Sequence, residues 1–275
     1  MSPTNHRLLR PKPSQSSNGF NPAVYGDLSV WLDASDVSTV TLNNGNVSAI
    51  DNKGAAGGAW EQATAVLQPP YVLGDQNSLN VISIQPGDGS RFLVEASNLN
   101  SIIQAAPNDP PTNAGDYGWT LFFAASNNAF VGQIPRTFYT SVRGMQWFFP
   151  AWKQSNLIYV AENWWCQAKA QWNLSNPPMA TYDWEAPSVV AASAGRNWRT
   201  RINETIVAPE ILNFGYNPNL GTGGPMSFNL FNNQTLYTTQ WTGKFFELLV
   251  YRGTLSAATM DEIAANLKAK WGIVY

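Results

Sequence analysis

Along most of the chain, apolar residues recur at alternate positions in short runs, and turns rich in glycine, proline and asparagine interrupt them. Alternation of this kind marks half-buried β-strands. Residues 28–33 open the series, with Val30 and Leu32 on one face. Strands are predicted next at 40–42, 46–50 and 80–84, separated by Asn44-Gly45, Lys53-Gly54 and Pro86-Gly87-Asp88-Gly89. The pattern continues at 91–95, 119–125, 137–142, 146–149, 157–161, 188–192, 200–207, 226–231 and 244–252. One stretch has a different period. Met260, Ile263, Leu267 and Trp271 recur at spacings of three and four, which predicts a helix over 256–271 with one apolar face. Ser256 is its N-cap, Asp261 and Glu262 lie early in it, Lys268 and Lys270 suit the far end of its dipole, and Gly272 stops it.

Many short strands joined by turns, with one terminal helix, predict an all-β, two-sheet antiparallel sandwich rather than a parallel α/β sheet. No unit repeats at a period of roughly 20–50 residues, so a solenoid or propeller is not expected. Residues 1–22 read differently. They hold Pro3, Pro11, Pro13 and Pro22, a serine-rich stretch, and the basic or titratable His6, Arg7, Arg10 and Lys12, with no acidic residue before Asp27. Such a segment buries too little apolar surface to fold alone. It either frays or orders on a partner surface. The economical division is an extended arm at 1–22 and one compact domain at 23–275 that includes the helix. The first residues lack the apolar core of a secretory signal. No window approaches the roughly 18 uninterrupted apolar residues of a transmembrane helix, so no membrane association is expected.

Composition narrows the chemistry. Only 12% of the 275 residues are charged, about half the usual share, and asparagine alone occurs 28 times, so amides and hydroxyls must supply much of the polar surface. A net charge of −2 gives no reason to expect nucleic-acid binding. The single cysteine, Cys166, excludes an intramolecular disulfide and a cysteine-cluster zinc site. The single histidine, His6, lies in the arm, where no rigid base–nucleophile pair can form without a partner. Gly221-Thr-Gly-Gly224 lacks the Lys-Ser/Thr of a phosphate-binding loop and precedes a β run. Arg199 and Arg201 would share one strand face near Arg196, and carboxylate pairing or a solvated face accounts for them.

Two segments together carry a resemblance. The first runs Phe20-Asn-Pro-Ala-Val-Tyr-Gly-Asp-Leu-Ser-Val-Trp-Leu-Asp-Ala-Ser-Asp36, followed by Thr39-Val-Thr41, Val47-Ser48, Asp51-Asn-Lys-Gly54, Gln62-Ala-Thr64 and Gln68-Pro-Pro-Tyr71. The second runs Gly243-Lys-Phe-Phe-Glu-Leu-Leu-Val-Tyr251, then Leu255-Ser256 and Leu267-Lys-Ala-Lys-Trp-Gly272. The pair resembles the concanavalin A-like, laminin-G-like jelly-roll domains of tailed-bacteriophage virion proteins and bacterial surface proteins. The resemblance implies that the first and last strands lie close together and that the terminal helix caps the sandwich. Arg7-Leu-Leu-Arg10-Pro11, leading into this region, is similar to the beginnings of tailed-phage virion proteins.

Such folds host lectins, hydrolases, adhesion modules and capsid parts, so each chemistry has to be weighed on residues. Laminarinase-type enzymes on this fold carry Glu-x-Asp-x-x-Glu, and retaining hydrolysis needs two carboxylates about 5 Å apart. That motif is missing; Asp183-Trp-Glu185 is the nearest approximation, and no enzyme activity is expected. No cofactor is expected either. Related jelly-rolls sometimes hold calcium, and Asp33, Asp36 and Asp51, with Asn52 beside them, are the candidate oxygen donors for a structural ion, solvated turn carboxylates being the alternative. Seven of the twelve tryptophans fall between residues 147 and 198, and Trp164, Trp165, Trp172 and Trp184 are candidate platforms for sugar rings. Core or intersubunit packing would explain the same cluster. The main expectation is a non-enzymatic virion structural protein assembled in the host cytoplasm. It would be a capsid decoration protein rather than a tail component, homo-oligomeric in the particle. Its docking onto the major capsid protein or another virion protein would run through Arg7, Leu8, Leu9 and Arg10. The alternative is a lectin-like module that binds host glycans.

Overall fold

A computed structural model describes residues 19–84, 93–95, 119–127, 138–140, 147–154, 157–163, 168–173, 186–194, 199–203, 205–207, 228–230 and 242–274. Along them run strands β1 (Asp27–Asp33), β2 (Val40–Asn43), β3 (Asn46–Asp51), β4 (Ala59–Glu61), β5 (Tyr71–Gln76), β6 (Leu79–Ile84), β7 (Leu93–Glu95), β8 (Trp119–Asn127) and β9 (Phe138–Thr140). They continue with β10 (Trp147–Gln154), β11 (Leu157–Asn163), β12 (Ala168–Asn173), β13 (Ser188–Ala194), β14 (Arg199–Ile202), β15 (Thr205–Val207), β16 (Phe228–Leu230) and β17 (Gly243–Arg252), and helix α1 spans Ala257–Trp271. The strands form two antiparallel sheets, and the fold is an all-β sandwich with one C-terminal helix. The first sheet runs β15-β14-β13-β8-β17-β6-β5, and β1 also pairs with β17. The second runs β12-β11-β10-β9-β16-β7-β4-β3-β2. Strands β10 and β11 lie against β8 and β13 of the first sheet.

Strand β17 organises the first sheet. Along one edge it pairs with β8 from Gly243 to Arg252. Its other edge is divided: Gly243 to Phe245 pair with β6, and Glu247 to Arg252 pair with β1. The register shifts between Phe245 and Glu247, so a bulge falls at Phe246. A bulge breaks the two-residue alternation and re-aims side chains. Here it puts Phe246 and Glu247 on the same face, the one covered by α1. Phe246 stacks on Trp271 at 5.1 Å between centroids, while Phe245 packs on Phe123.

Helix α1 covers the outer face of this sheet. Met260, Ile263, Ala264, Leu267 and Trp271 are buried against Leu28, Phe122, Val189, Leu249 and Tyr251. The intervening positions, among them Val30, Leu32, Leu121, Phe123, Leu248 and Val250, are buried too, and alternation turns them towards the second sheet. Both ends of the helix are closed by side chains. Ser256 Oγ accepts from Thr259 N at 3.1 Å, the cap expected from sequence. Gly272 adopts φ 60°, and its N–H bonds to Lys268 O. The β5–β6 turn completes the far end, with Gln76 Nε2 donating to Trp271 O and Asn77 Nδ2 to Lys270 O.

The short 3-10 turn Pro22–Tyr25 belongs to the domain: Tyr251 Oη donates to Pro22 O, Tyr25 Oη donates to Glu262, and Phe20 packs on the helix-side core. The stretch 200–207, read from sequence as one strand, is a hairpin, because Asn203 turns at φ 56° while its N–H and Oδ1 bond to Val189. In the second sheet, Trp60 and Ile50 are fully buried, whereas their neighbours Glu61 and Thr41 are exposed. That contrast fixes which face of this sheet looks outward. No described helix is long and apolar enough to cross a membrane.

Candidate functional site

The residues that carry the family resemblance converge where β1, β17 and α1 meet. Glu247 emerges from the bulge onto the helix-covered face with its side chain 0% exposed. A carboxylate so placed needs partners, since an unpaired buried charge costs several kcal/mol. It has three. Trp31 Nε1 donates to Oε1 at 2.8 Å, and Trp271 Nε1 and Lys270 Nζ donate to Oε2 at 2.9 and 2.7 Å. The Lys270 ammonium, its side chain 7% exposed, also donates to Asp33 Oδ2 at 2.7 Å. Asp33 accepts in turn from Ser35 N and Ser35 Oγ. Lys53 extends the chain outward: its Nζ lies 3.6 Å from Asp33 and 2.7 Å from Asp36, and 3.8 Å above the Trp31 ring. Acid and base thus alternate from the buried Glu247 to the half-exposed Asp36.

Burial pushes the Glu247 carboxyl above the usual carboxylate range, and the Asp33 charge adds to this while Lys270 and Trp271 oppose it. For Lys270, burial alone would lower the pKa, but the Glu247 and Asp33 carboxylates outweigh it and hold the ammonium above its ordinary value. Burial likewise raises Asp36, yet the Lys53 and Ser38 hydrogen bonds prevail and hold it below its ordinary value. Tyr71, whose hydroxyl donates to Ala34 O, is raised mainly by burial.

Asp51-Asn-Lys-Gly54 finishes the free edge of β1. Asn52 Oδ1 accepts from Trp31 N and Gly54 N, and its Nδ2 donates to Ser29 O and Gly57 O, so all four side-chain bonding positions are used. Lys53 N bonds to Trp31 O, Ala55 N to Leu28 O and Ala56 N to Ser29 O. A Cβ on Gly54 would overlap the Ser29 carbonyl and lie 2.8 Å from Val30 N, so only glycine fits this approach. Gln68-Pro-Pro-Tyr71 carries the chain from the second sheet to the first, with Gln68 buried and Val47 N bonded to Pro69 O.

Two of the three carboxylates considered for calcium meet ammonium groups: lysines hold Oδ2 of Asp33 and of Asp36, whereas Asp51 sits exposed at the end of β3. Among the described residues no group of three or more acidic, histidine or cysteine side chains could hold a metal ion. Asp33 and Glu247 share one ammonium, but with side chains 6% and 0% exposed they present no surface to a sugar. Sequence reasoning took Lys270 for a dipole partner and passed over Glu247, although a lone acid inside Phe-Phe-Glu-Leu-Leu-Val signals a buried ion pair. Arg201 is buried and pairs with Asp261 of α1. Of the sugar-platform candidates, Trp172 lies on β12 opposite Ile158 of β11. Trp164, Trp165, Trp184 and the Asp183/Glu185 pair lie outside the described residues, as do Arg7, Leu8, Leu9 and Arg10.

No protein-family model matches the chain, and no curated protein sequence matches it. Solved structures do. The chain is similar to the binding domain of botulinum neurotoxin serotype D, with a TM-score of 0.53, 8% identity, and coverage of 90% of this chain and 54% of that one. It is similar to botulinum neurotoxin type C, for which entering cells depends upon interaction with two ganglioside molecules, with a TM-score of 0.52, 8% identity, and coverage of 89% and 52%. A third is the binding domain of botulinum neurotoxin DC in complex with SialylT, with a TM-score of 0.51, 9% identity, and coverage of 89% and 52%. The chain spans about half the length of each of these. At such identities the likeness shows a shared β-sandwich fold.

Proposed function

We propose that the chain is a glycan-binding, lectin-like β-sandwich module without catalytic activity. The observation that carries the reading is its fold, shared with toxin binding domains that engage gangliosides and SialylT. The composition supports it, since abundant amides and tryptophans suit hydroxyls and the apolar faces of sugar rings. The buried ion chain supports it from the other side: the acids it brings together are consumed in holding β1, β17 and α1 in place. The reading is tested by applying the full-length protein to an array of neutral and sialylated oligosaccharides. Saturable binding to at least one glycan is expected, and binding to none overturns it. Reducing sugar released from any bound glycan would overturn the non-catalytic part.

A second reading places this module on a tailed-phage particle, docked to a capsid protein through Arg7, Leu8, Leu9 and Arg10. Its support is the sequence resemblance of residues 20–36 and 243–251, two segments that pair as β1 and β17. Co-sedimentation with particles lacking the protein tests it. Full-length chain is expected to bind and chain without residues 1–18 is not; equal behaviour of the two removes the arm as anchor.

A further inference from the structure

The centre of the buried ion chain holds more than an ion pair needs. Lys270 Nζ lies 2.7 Å from Asp33 Oδ2 and 2.7 Å from Glu247 Oε2, with all three side chains almost wholly shielded from water. The two carboxylates are held differently. Glu247 accepts from the indoles of Trp31 and Trp271, one on each oxygen. Asp33 Oδ1 accepts from Ser35 N at 3.0 Å and from Ser35 Oγ at 2.6 Å, while Oδ2 faces two ammonium groups, Lys270 at 2.7 Å and Lys53 at 3.6 Å. The Trp271 ring, centred 5.1 Å from Lys270 Nζ and stacked on Phe246, walls the site. The Asp33 carboxyl carbon is one bond beyond the oxygen that Nζ touches, and reacting atoms held about 3–3.5 Å apart are poised for attack. An amine, an acyl carbon, a proton acceptor and two donors on the oxygen that would gain charge are the parts of an acyl transfer.

We propose that Lys270 and Asp33 condense into an isopeptide amide, with Glu247 carrying the proton, so that the folded chain ties its terminal helix covalently to β1. Lys270 first passes a proton to Glu247 Oε2, and the lone pair freed on Nζ attacks Asp33 Cγ. The C–O π electrons move onto Oδ1, where the two Ser35 donors stabilise them. Glu247 delivers its proton to Oδ2, takes a second from the nitrogen and delivers that too. The Cγ–Oδ2 bond then breaks and water leaves. Ammonium and carboxylate thus become amide and water, Glu247 is regenerated, and no oxidant, reductant or further reactant is needed. The event is single and self-directed, with no turnover of an external substrate. Two carboxylates hold the proton on Lys270 at rest, so the freshly folded chain carries the ion pair; burial, which raises Glu247, favours the neutral pair that reacts. Condensation also replaces two buried charges by a neutral amide, which relieves their desolvation. Glu247 keeps both indole donors and, without the ammonium, takes up a proton more readily. Asp33 and Lys270 lie 237 positions apart, so the bond closes almost the whole domain into one ring and limits the unfolded chain.

The test weighs the full-length protein intact when freshly folded and again after several days at neutral pH. A form lighter by one water is expected to accumulate, to run ahead of the fresh form on a denaturing gel, and to yield on proteolysis a branched peptide joining Asp33 to Lys270. Lys270→Arg keeps a positive charge between the two acids but offers a guanidinium that stays protonated, and Glu247→Gln removes the proton carrier. Each is expected to keep its full mass, with melting curves taken beforehand to show that both are folded. Wild type held in urea, where the site is dispersed, is expected to stay unreacted, a comparison that needs no variant. A wild-type mass that never falls overturns the proposal. So does a water loss that persists in Lys270→Arg or in urea, or that maps to a linear peptide, the mark of a cyclic imide at an Asp-Gly step such as Asp88-Gly89. Conversion of Glu247→Gln at the wild-type rate overturns the role given to Glu247.

Discussion

Replacing Lys270 by methionine should unfold the protein more readily than any surface change, because it strands two carboxylates at once. Glu247 and Asp33, with side chains 0% and 6% exposed, both take a 2.7 Å bond from this ammonium. Methionine fills much of the same volume, so the loss is electrostatic rather than steric. Glu247 would retain the two indole N–H donors, which softens its isolation, and Asp33 would retain Ser35 and the more distant Lys53. Removing one partner of a buried pair typically costs about 3–5 kcal/mol. With a urea m-value of about 3 kcal/mol/M, the unfolding midpoint should fall by about 1 M or more at neutral pH, with m unchanged. The sign of the pH dependence is also determined. Without Lys270, burial raises the Glu247 pKa further; a group whose folded pKa is raised favours the folded state at low pH and loses that advantage as pH rises through the folded value. The deficit relative to wild type should therefore shrink as pH is lowered towards the range where Glu247 protonates. An unfolding free energy within about 0.5 kcal/mol of wild type at neutral pH, or a deficit that grows on acidification, would refute the reasoning.

Four further outcomes follow from the same frame. Gly54→Ala should cost about 3 kcal/mol or more in thermal unfolding, since the new methyl group meets the β1 backbone; Asn52→Ala should cost about 1–3 kcal/mol by leaving the Trp31 and Gly54 N–H groups unpaired. Asp36→Asn should cost less than about 1 kcal/mol in the same assay, because Asp36 and Lys53 are 29% and 23% exposed and water screens the pair. Lys270 is held above its ordinary pKa, so its stabilisation is complete below about pH 10 and is lost as pH rises through the folded value. Melting temperature should consequently fall more steeply above about pH 10 in wild type than in Lys270→Met, which has no ammonium to lose.

The legibility of the fold varied along the chain for physical reasons. β1, β17 and α1 were readable nearly to the residue, because β1 and β17 are dense in apolar residues and bounded by turn residues, and α1 has a regular helical period, a serine cap and a glycine stop. β5 was missed because Gly74, at φ 63°, breaks its alternation between Val72 and Gln76. β12 was missed because Ala-Lys-Ala-Gln-Trp-Asn has weak strand propensity and gains its pairing from β11. The ion chain was invisible for a different reason: its members are 33, 36, 53, 247 and 270, and no local pattern announces a contact across more than two hundred residues. The order of the second sheet is assembled the same way, by pairing among strands remote in sequence. The motifs that carry the family resemblance turn out to build the frame, with Trp31, Asp33, Asn52, Gly54, Glu247, Lys270 and Trp271 all engaged in it. These roles are architectural, so the motifs of the resemblance bear on the fold rather than on an activity.

Hydrogen exchange of the full-length protein with and without a saturating bound oligosaccharide tests the central claim directly, that the junction of β1, β17 and α1 holds the fold and the glycan is engaged elsewhere on the sandwich. Added protection is predicted outside β1, β17 and α1, with these three unchanged. Protection confined to β1, β17 and α1 would contradict it.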